Sequence, residues 1–141
     1  MSPEPIKAVV QRVTGLTLAG KARTGHWTMM DTSVEVGGSS AASTPMELVL
    51  MALGGCTGMD VLSILAKMGQ PVEDYRIELE GERSEEHPKV YTKIRLTHVV
   101  KGKVDPERLA HAIELSETKY CSVSGMLKKS VNIETNYRVE P

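Results

Sequence analysis

Residues 6–13 (IKAVVQRV) and 16–23 (LTLAGKAR) are short apolar runs on either side of Thr14-Gly15, a pattern that predicts two strands joined by a tight turn. A third strand is expected at residues 26–30, ending at Asp31. Residues 37–43, GGSSAAS, read as a small-residue loop. The pattern then changes. Thr44-Pro45-Met46-Glu47 puts a hydroxyl at a helix N-cap, a proline at the first helical position and a glutamate at the third, a capping box. Leu48, Val49, Leu50, Met51, Leu53, Met59, Val61, Leu62, Ile64 and Leu65 follow, and Gly69 marks the stop after residues 67–68. A helix apolar on nearly every side must be covered on nearly every side. In so short a chain this predicts a central helix wrapped by sheet, or one shared across a dimer.

Downstream, Tyr75, Ile77 and Leu79 alternate with Arg76, Glu78 and Glu80, which predicts a strand over 75–82 with one wet face. A charged turn through 82–89 leads to a further strand at 91–101. Residues 102–105 open a second helix, with Asp105 as its cap and Pro106 at its first position. Leu109, Ala112, Ile113 and Leu115–Ser116 form its inner stripe. Residues 122–129 read as a short helix and 131–139 as a last alternating strand. The expected order is βββ-α-ββ-αα-β, an α+β fold with a long central helix, and residues 1–141 are expected to form a single domain.

Charge narrows the function. Of 141 residues 25% are charged, with a net charge of -1, so there is no basic excess for nucleic acid or an anionic membrane surface. The apolar stretch at 46–66 is broken by Gly54, Gly55, Gly58 and Asp60, and the N-terminus lacks a signal-type run. A buried helix in a cytoplasmic protein, with no membrane or nucleic-acid partner, is therefore expected. The chain has no Phe, and its eight Met are adaptable packing residues suited to a core completed by a partner chain.

The candidate chemistry lies in the two cysteines. Cys56 sits in the long helix, preceded by Gly54 and Gly55, with Asp60 one turn on along the same face. An apolar helix can bury a thiol as an inert small hydrophobe, and a neighbouring carboxylate disfavours its thiolate. Cys121 precedes Ser122 at the start of the short helix, where unpaired backbone N–H groups favour a thiolate, with Lys119 nearby. In a reducing cytoplasm such a pair is catalytic or sensing more often than a permanent staple. His26, His87, His98 and His111 form no zinc-type spacing with the cysteines, so no metal site and no organic cofactor are expected. Phosphate loops, serine–histidine nucleophiles and dinucleotide fingerprints are lacking too.

Two segments together, TPMELVLMALGGCTGMD at 44–60 and LSETKYCSVSGML at 115–127, resemble the OsmC/Ohr family, and more closely its YhfA-like branch of OsmC-like proteins. The resemblance implies an intertwined homodimer with back-to-back central helices and a sheet wrapped outside. It implies thiol-dependent reduction of organic hydroperoxides in peroxide stress defence, with Cys56 as peroxidatic thiol, Cys121 as resolving thiol and a dithiol as reductant. Family peroxidases carry a glutamate directly after the helix-opening proline and an activating arginine in the N-terminal hairpin. Here Met46 fills the first position, with Glu47 rotated about 100 degrees from it, and Arg12 stands before the hairpin turn, with Arg23 further on. Glu47 and Arg12 are the residues nearest those roles, with His26 or Lys119 as substitutes for the arginine. The alternative is a non-enzymatic OsmC-like protein that binds a small hydrophobic ligand or senses redox state.

Overall fold

The computed structural model describes residues 3–141. The chain divides into two compact units, Met1–Val49 and Leu50–Pro141. In the first, strands β1 (Val9–Thr14), β2 (Thr17–Lys21) and β3 (Thr28–Met30) form an antiparallel sheet in that order. The hairpin turns at Gly15, whose φ of 54° is one that glycine adopts without strain. Thr17 and Ala19 are buried, whereas every residue of β1 is exposed, including Val9, Val10 and Val13.

The small-residue loop after β3 is more ordered than its composition suggests. The buried Asp31 carboxylate accepts hydrogen bonds from Thr17 Oγ1 (2.9 Å) and the backbone N–H groups of Thr32 (2.7 Å), Ser39 (3.3 Å) and Ala41 (3.1 Å). These bonds, led by that from Thr32, outweigh the cost of burial and hold the carboxyl below its ordinary range. The capping box forms as expected: Glu47 Oε1 accepts from Thr44 N at 2.8 Å and Thr44 Oγ1 accepts from Glu47 N at 3.2 Å. It opens helix α1 (Pro45–Lys67).

The second unit carries the rest of α1, strands β4 (Val72–Arg83) and β5 (Tyr91–Gly102), helix α2 (Pro106–Leu115), a π-helical turn (Ser116–Tyr120), helix α3 (Ser122–Leu127) and strand β6 (Asn132–Glu140). β4 pairs antiparallel with β5, and β6 returns parallel to β5 after the helical crossover. Asp105 accepts from Glu107 N and Pro106 follows it, as the start signal at α2 predicts. Val61 and Leu65 of α1, Val100 of β5, Val104, and Leu109, Ala112 and Ile113 of α2 form one apolar core.

Two glycines let α1 approach β4. A Cβ at Gly54 would lie 2.8 Å from Leu79 Cδ1, and one at Gly58 would lie 3.2 Å from Ile77 Cδ1 and 3.3 Å from Tyr75 Cε2. A Cβ at Gly55, by contrast, would meet no atom beyond its own stretch of helix within 4 Å among the described residues. The close approach that the glycines beside Cys56 suggest is thus partly one of sheet side chains to the helix.

The buried inner face of β5 includes His98, whose Nδ1 lies 2.6 Å from the Tyr75 hydroxyl. Its Nε2 is buried with no protein partner among the described residues. Burial pushes its pKa from 6.5 down to about 4, so the imidazole is neutral. The same burial raises the Tyr75 phenol. A folded-state pKa below the unfolded one means that stability is present above pH 6.5 and lost as pH falls through about 4. The difference corresponds to about 3 kcal/mol at most. Chemical denaturation across that range should show a loss of stability that His98→Leu flattens; an identical slope in the variant would contradict it.

Candidate functional site

Cys56 is half-buried midway along α1, and Cys121 is buried at the start of α3; both are free thiols. The fold brings them together. The two Sγ atoms and a carboxylate oxygen of Asp60 all lie within 4.8 Å of one another. Cys56 and Asp60 are placed by a single turn of α1, while Cys121 arrives from the far side of the crossover.

Ser116 sets that arrival. Its hydroxyl donates to Asp60 Oδ2 at 2.9 Å and lies 2.9 Å from Thr57 Oγ1. A hydroxyl has one proton to give, so Thr57 is the donor to Ser116. The chain Thr57→Ser116→Asp60 thus crosses from α1 to the crossover and back, with both hydroxyls buried. The backbone carbonyl of Ser116 accepts from Cys121 N at 2.7 Å, closing the wider π-helical turn. On its other side, the Glu117 carboxylate accepts from the Thr135 hydroxyl of β6, and the Glu117 carbonyl accepts from Lys128 Nζ at 3.3 Å. The sequence pattern assigned Ser116 only to the inner stripe of α2; its position on that stripe is the signal for its burial, and nothing local reveals its partners.

The helix-start reading of Cys121 needs correction. Ser124 N does donate to Cys121 Sγ at 3.3 Å, which favours a thiolate. Burial outweighs it and, with the Cys56 thiol and the Asp60 carboxylate adding to it, pushes the Cys121 pKa up to about 11. Cys121 is a protonated thiol at neutral pH. The reason is tertiary: Asp60 and Cys56 are brought there by the fold.

A cleft of about 330 Å³ begins at Asp60 and runs along Ser63, Ile64 and Lys67 of α1, faced by Leu115 and Tyr120. Asp60 is the one member of the thiol cluster that lines it, beside polar Ser63 and Lys67 and apolar Ile64 and Leu115.

The remaining nominated residues have local partners. Arg12 Nε donates to Gly15 O at 2.9 Å across the hairpin turn, and Glu47 serves the capping box; both are exposed and belong to the first unit. His26 is exposed in the same unit. Lys119 Nζ lies over the Tyr120 ring, 5.2 Å from its centroid.

The OsmC-like protein family model matches residues 37–136, which contain both cysteines, Asp60 and Ser116. The chain belongs to the OsmC-like family. Protein YhfA of Escherichia coli K12 is 44% identical over 135 residues, spanning 95% of this chain and 98% of YhfA. A protein of Aquifex aeolicus VF5 superposes with a TM-score of 0.87 and 36% identity, covering 98% of each chain. The organic hydroperoxide resistance protein OsmC of Legionella pneumophila shares the fold, with a TM-score of 0.74 over 99% of this chain and 100% of its own, at 13% identity. The OsmC-like architecture thus matches the element order that the sequence pattern predicts.

Replacing Ser116 should loosen the OsmC-like thiol pair without touching either sulfur. Ser116→Ala leaves the Thr57 hydroxyl and one Asp60 oxygen without this partner, at a cost of about 1–3 kcal/mol. Mild oxidation should then form the Cys56–Cys121 disulfide more slowly than in the unmodified protein, as followed by thiol loss. Equal stability and equal rate would show that Ser116 does not position Cys121.

Proposed function

We propose that this OsmC-like protein is a cytoplasmic, cysteine-based reductase of organic hydroperoxides in peroxide stress defence, recycled by a dithiol. The observation that carries this reading is the approach of the Cys56 and Cys121 sulfurs to within 4.8 Å, close enough for modest motion to reach the bond length of about 2.0 Å. The fold shared with the Legionella pneumophila organic hydroperoxide resistance protein supports it.

The exposures support a division of roles. Cys56, half-buried, is the thiol a substrate can reach, and Cys121, at 5% exposure, is the resolver. The Cys56 thiolate attacks the terminal oxygen of the hydroperoxide. An S–O bond forms, the O–O bond breaks and, after protonation, an alcohol leaves; sulfur gives up two electrons and becomes a sulfenic acid. Cys121 then displaces hydroxide from that sulfur, its own proton completing a water molecule, and a disulfide results. Conversion of Cys56 to the uncharged sulfenic acid also removes one of the influences that hold Cys121 protonated. Thiol–disulfide exchange with the dithiol restores both thiols. No metal or organic cofactor enters this sequence. Arg12 donates across its own hairpin turn and Glu47 accepts in the capping box, so the proposal rests on the two cysteines.

The test is consumption of an alkyl hydroperoxide in the presence of excess dithiol. Cys56→Ser should abolish turnover. Cys121→Ser should permit a single reduction, leaving a sulfenic acid that a dimedone-type reagent traps. Absence of turnover by the reduced protein with small and large alkyl hydroperoxides, over neutral to alkaline pH, would overturn the proposal.

A homodimer is part of the same proposal. On α1, Met51, Met59 and Leu62 are 49%, 74% and 39% exposed, and an apolar groove of about 390 Å³ lies between α1 and β4. A second copy of the chain would cover this surface. The same groove favours the alternative reading, a site for a small hydrophobic ligand with the cysteines as sensors. Light scattering decides the first point: a dimer that Met59→Glu converts to monomer is expected. A monomeric parent carrying a copurified apolar ligand, retained after both cysteines are replaced by serine, would favour the alternative.

A further inference from the structure

We infer that Cys56, Asp60 and Cys121 also form a binding site for a thiophilic divalent cation of the zinc and cadmium type. The inference uses the same thiols as the hydroperoxide reading but does not depend on it. Zinc takes sulfur at about 2.3 Å and carboxylate oxygen at about 2.0–2.2 Å in tetrahedral geometry, which places its donor atoms about 3.5–3.8 Å apart. Here two sulfurs and a carboxylate oxygen already lie within 4.8 Å of one another, so closing around an ion needs small side-chain shifts. Two of the donors are fixed to one helix a turn apart, and the third comes from a separate element, so the set is not collinear. Asp60 also lines a cleft, and a water molecule would complete the four ligands.

The surroundings of the donors point the same way. Ser116 Oγ donates to Asp60 Oδ2 at 2.9 Å, which orients the carboxylate, and Ser124 N donates to Cys121 Sγ at 3.3 Å, which suits a sulfur carrying negative charge. Outer hydrogen bonds of this kind fix ligand orientation in metal sites. Spacing in the sequence weighed the histidines as partners for the cysteines and so argued against a metal; the third donor is instead a carboxylate beside Cys56. Binding involves no electron transfer. Two S–H bonds give way to two metal–sulfur bonds, and two protons pass to solvent. An occupied site holds both sulfurs in metal bonds and so blocks their oxidation to a disulfide.

Anaerobic titration of the fully reduced protein with cadmium, followed by the ultraviolet sulfur-to-cadmium charge-transfer band, tests this, with zinc measured by competition against a chromophoric chelator. Saturation at a single ion per chain with release of about two protons in weak buffer is expected. Cys56→Ser and Cys121→Ser should each lose the high-affinity ion, while Asp60→Asn and Ser116→Ala should keep the band and weaken binding, the latter by about 10-fold. Circular dichroism identifies any variant that fails to fold, and the stoichiometry and proton count of the unmodified protein then decide. No charge-transfer band with both thiols shown to be reduced, no proton release, or a folded Asp60→Asn that binds as tightly as the parent would overturn the inference.

Discussion

The candidate site depends on one constraint: the buried Ser116 hydroxyl has a single proton, and that proton goes to Asp60. With that bond made, Thr57 must donate to Ser116, and three polar groups on two elements are satisfied in one arrangement. Any slip of the crossover along α1 would strand a buried hydroxyl or a carboxylate oxygen, each an expensive loss in a low-dielectric setting. The carbonyl of the same residue receives Cys121 N, so the position of one sulfur is inherited from the hydroxyl network of the other sulfur's helix.

The environment that makes this network specific also sets the chemistry. Burial neutralises His98 beside Tyr75, and the same physical effect, reinforced by Cys56 and Asp60, keeps Cys121 protonated. A sulfur that is buried and protonated is poorly suited to meet a substrate first and well suited to wait for a partner sulfur to be oxidised. Cys56 is the more open of the two thiols, and its sulfur lies within 4.8 Å of a carboxylate oxygen of Asp60. Asp60 is central in both respects: it disfavours the Cys121 thiolate as a neighbouring charge, and it supplies the oxygen that turns a thiol pair into a three-donor set.

Much of the apolar pattern of α1 is not consumed by its own chain. Leu53, Val61 and Leu65 are buried, Gly54 and Gly58 admit the side chains of β4, and Met51 and Met59 remain outward. By length and composition alone this helix could cross a membrane. It also carries Asp60, whose carboxylate is engaged by Ser116 of the crossover, within an OsmC-like fold.

Local chemistry determined most of the fold. The Thr44–Glu47 capping box, the Asp105-Pro106 helix start and the alternation along β4 each rest on interactions within a few residues, so they are legible in the chain and appear where expected. The family motifs around both cysteines carried the architecture further than periodicity could. Only the tertiary structure decided which residues meet. The parallel return of β6, the burial of His98 against Tyr75 and the cluster of Cys56, Asp60 and Cys121 all join distant parts of the chain. Hydrogen-bond pairing and desolvation depend on distance in space, which no local pattern encodes. For that reason the sequence could nominate the two thiols and place Asp60 beside Cys56, but not bring that carboxylate to Cys121, find the serine that aligns them or give the direction in which Cys121 titrates.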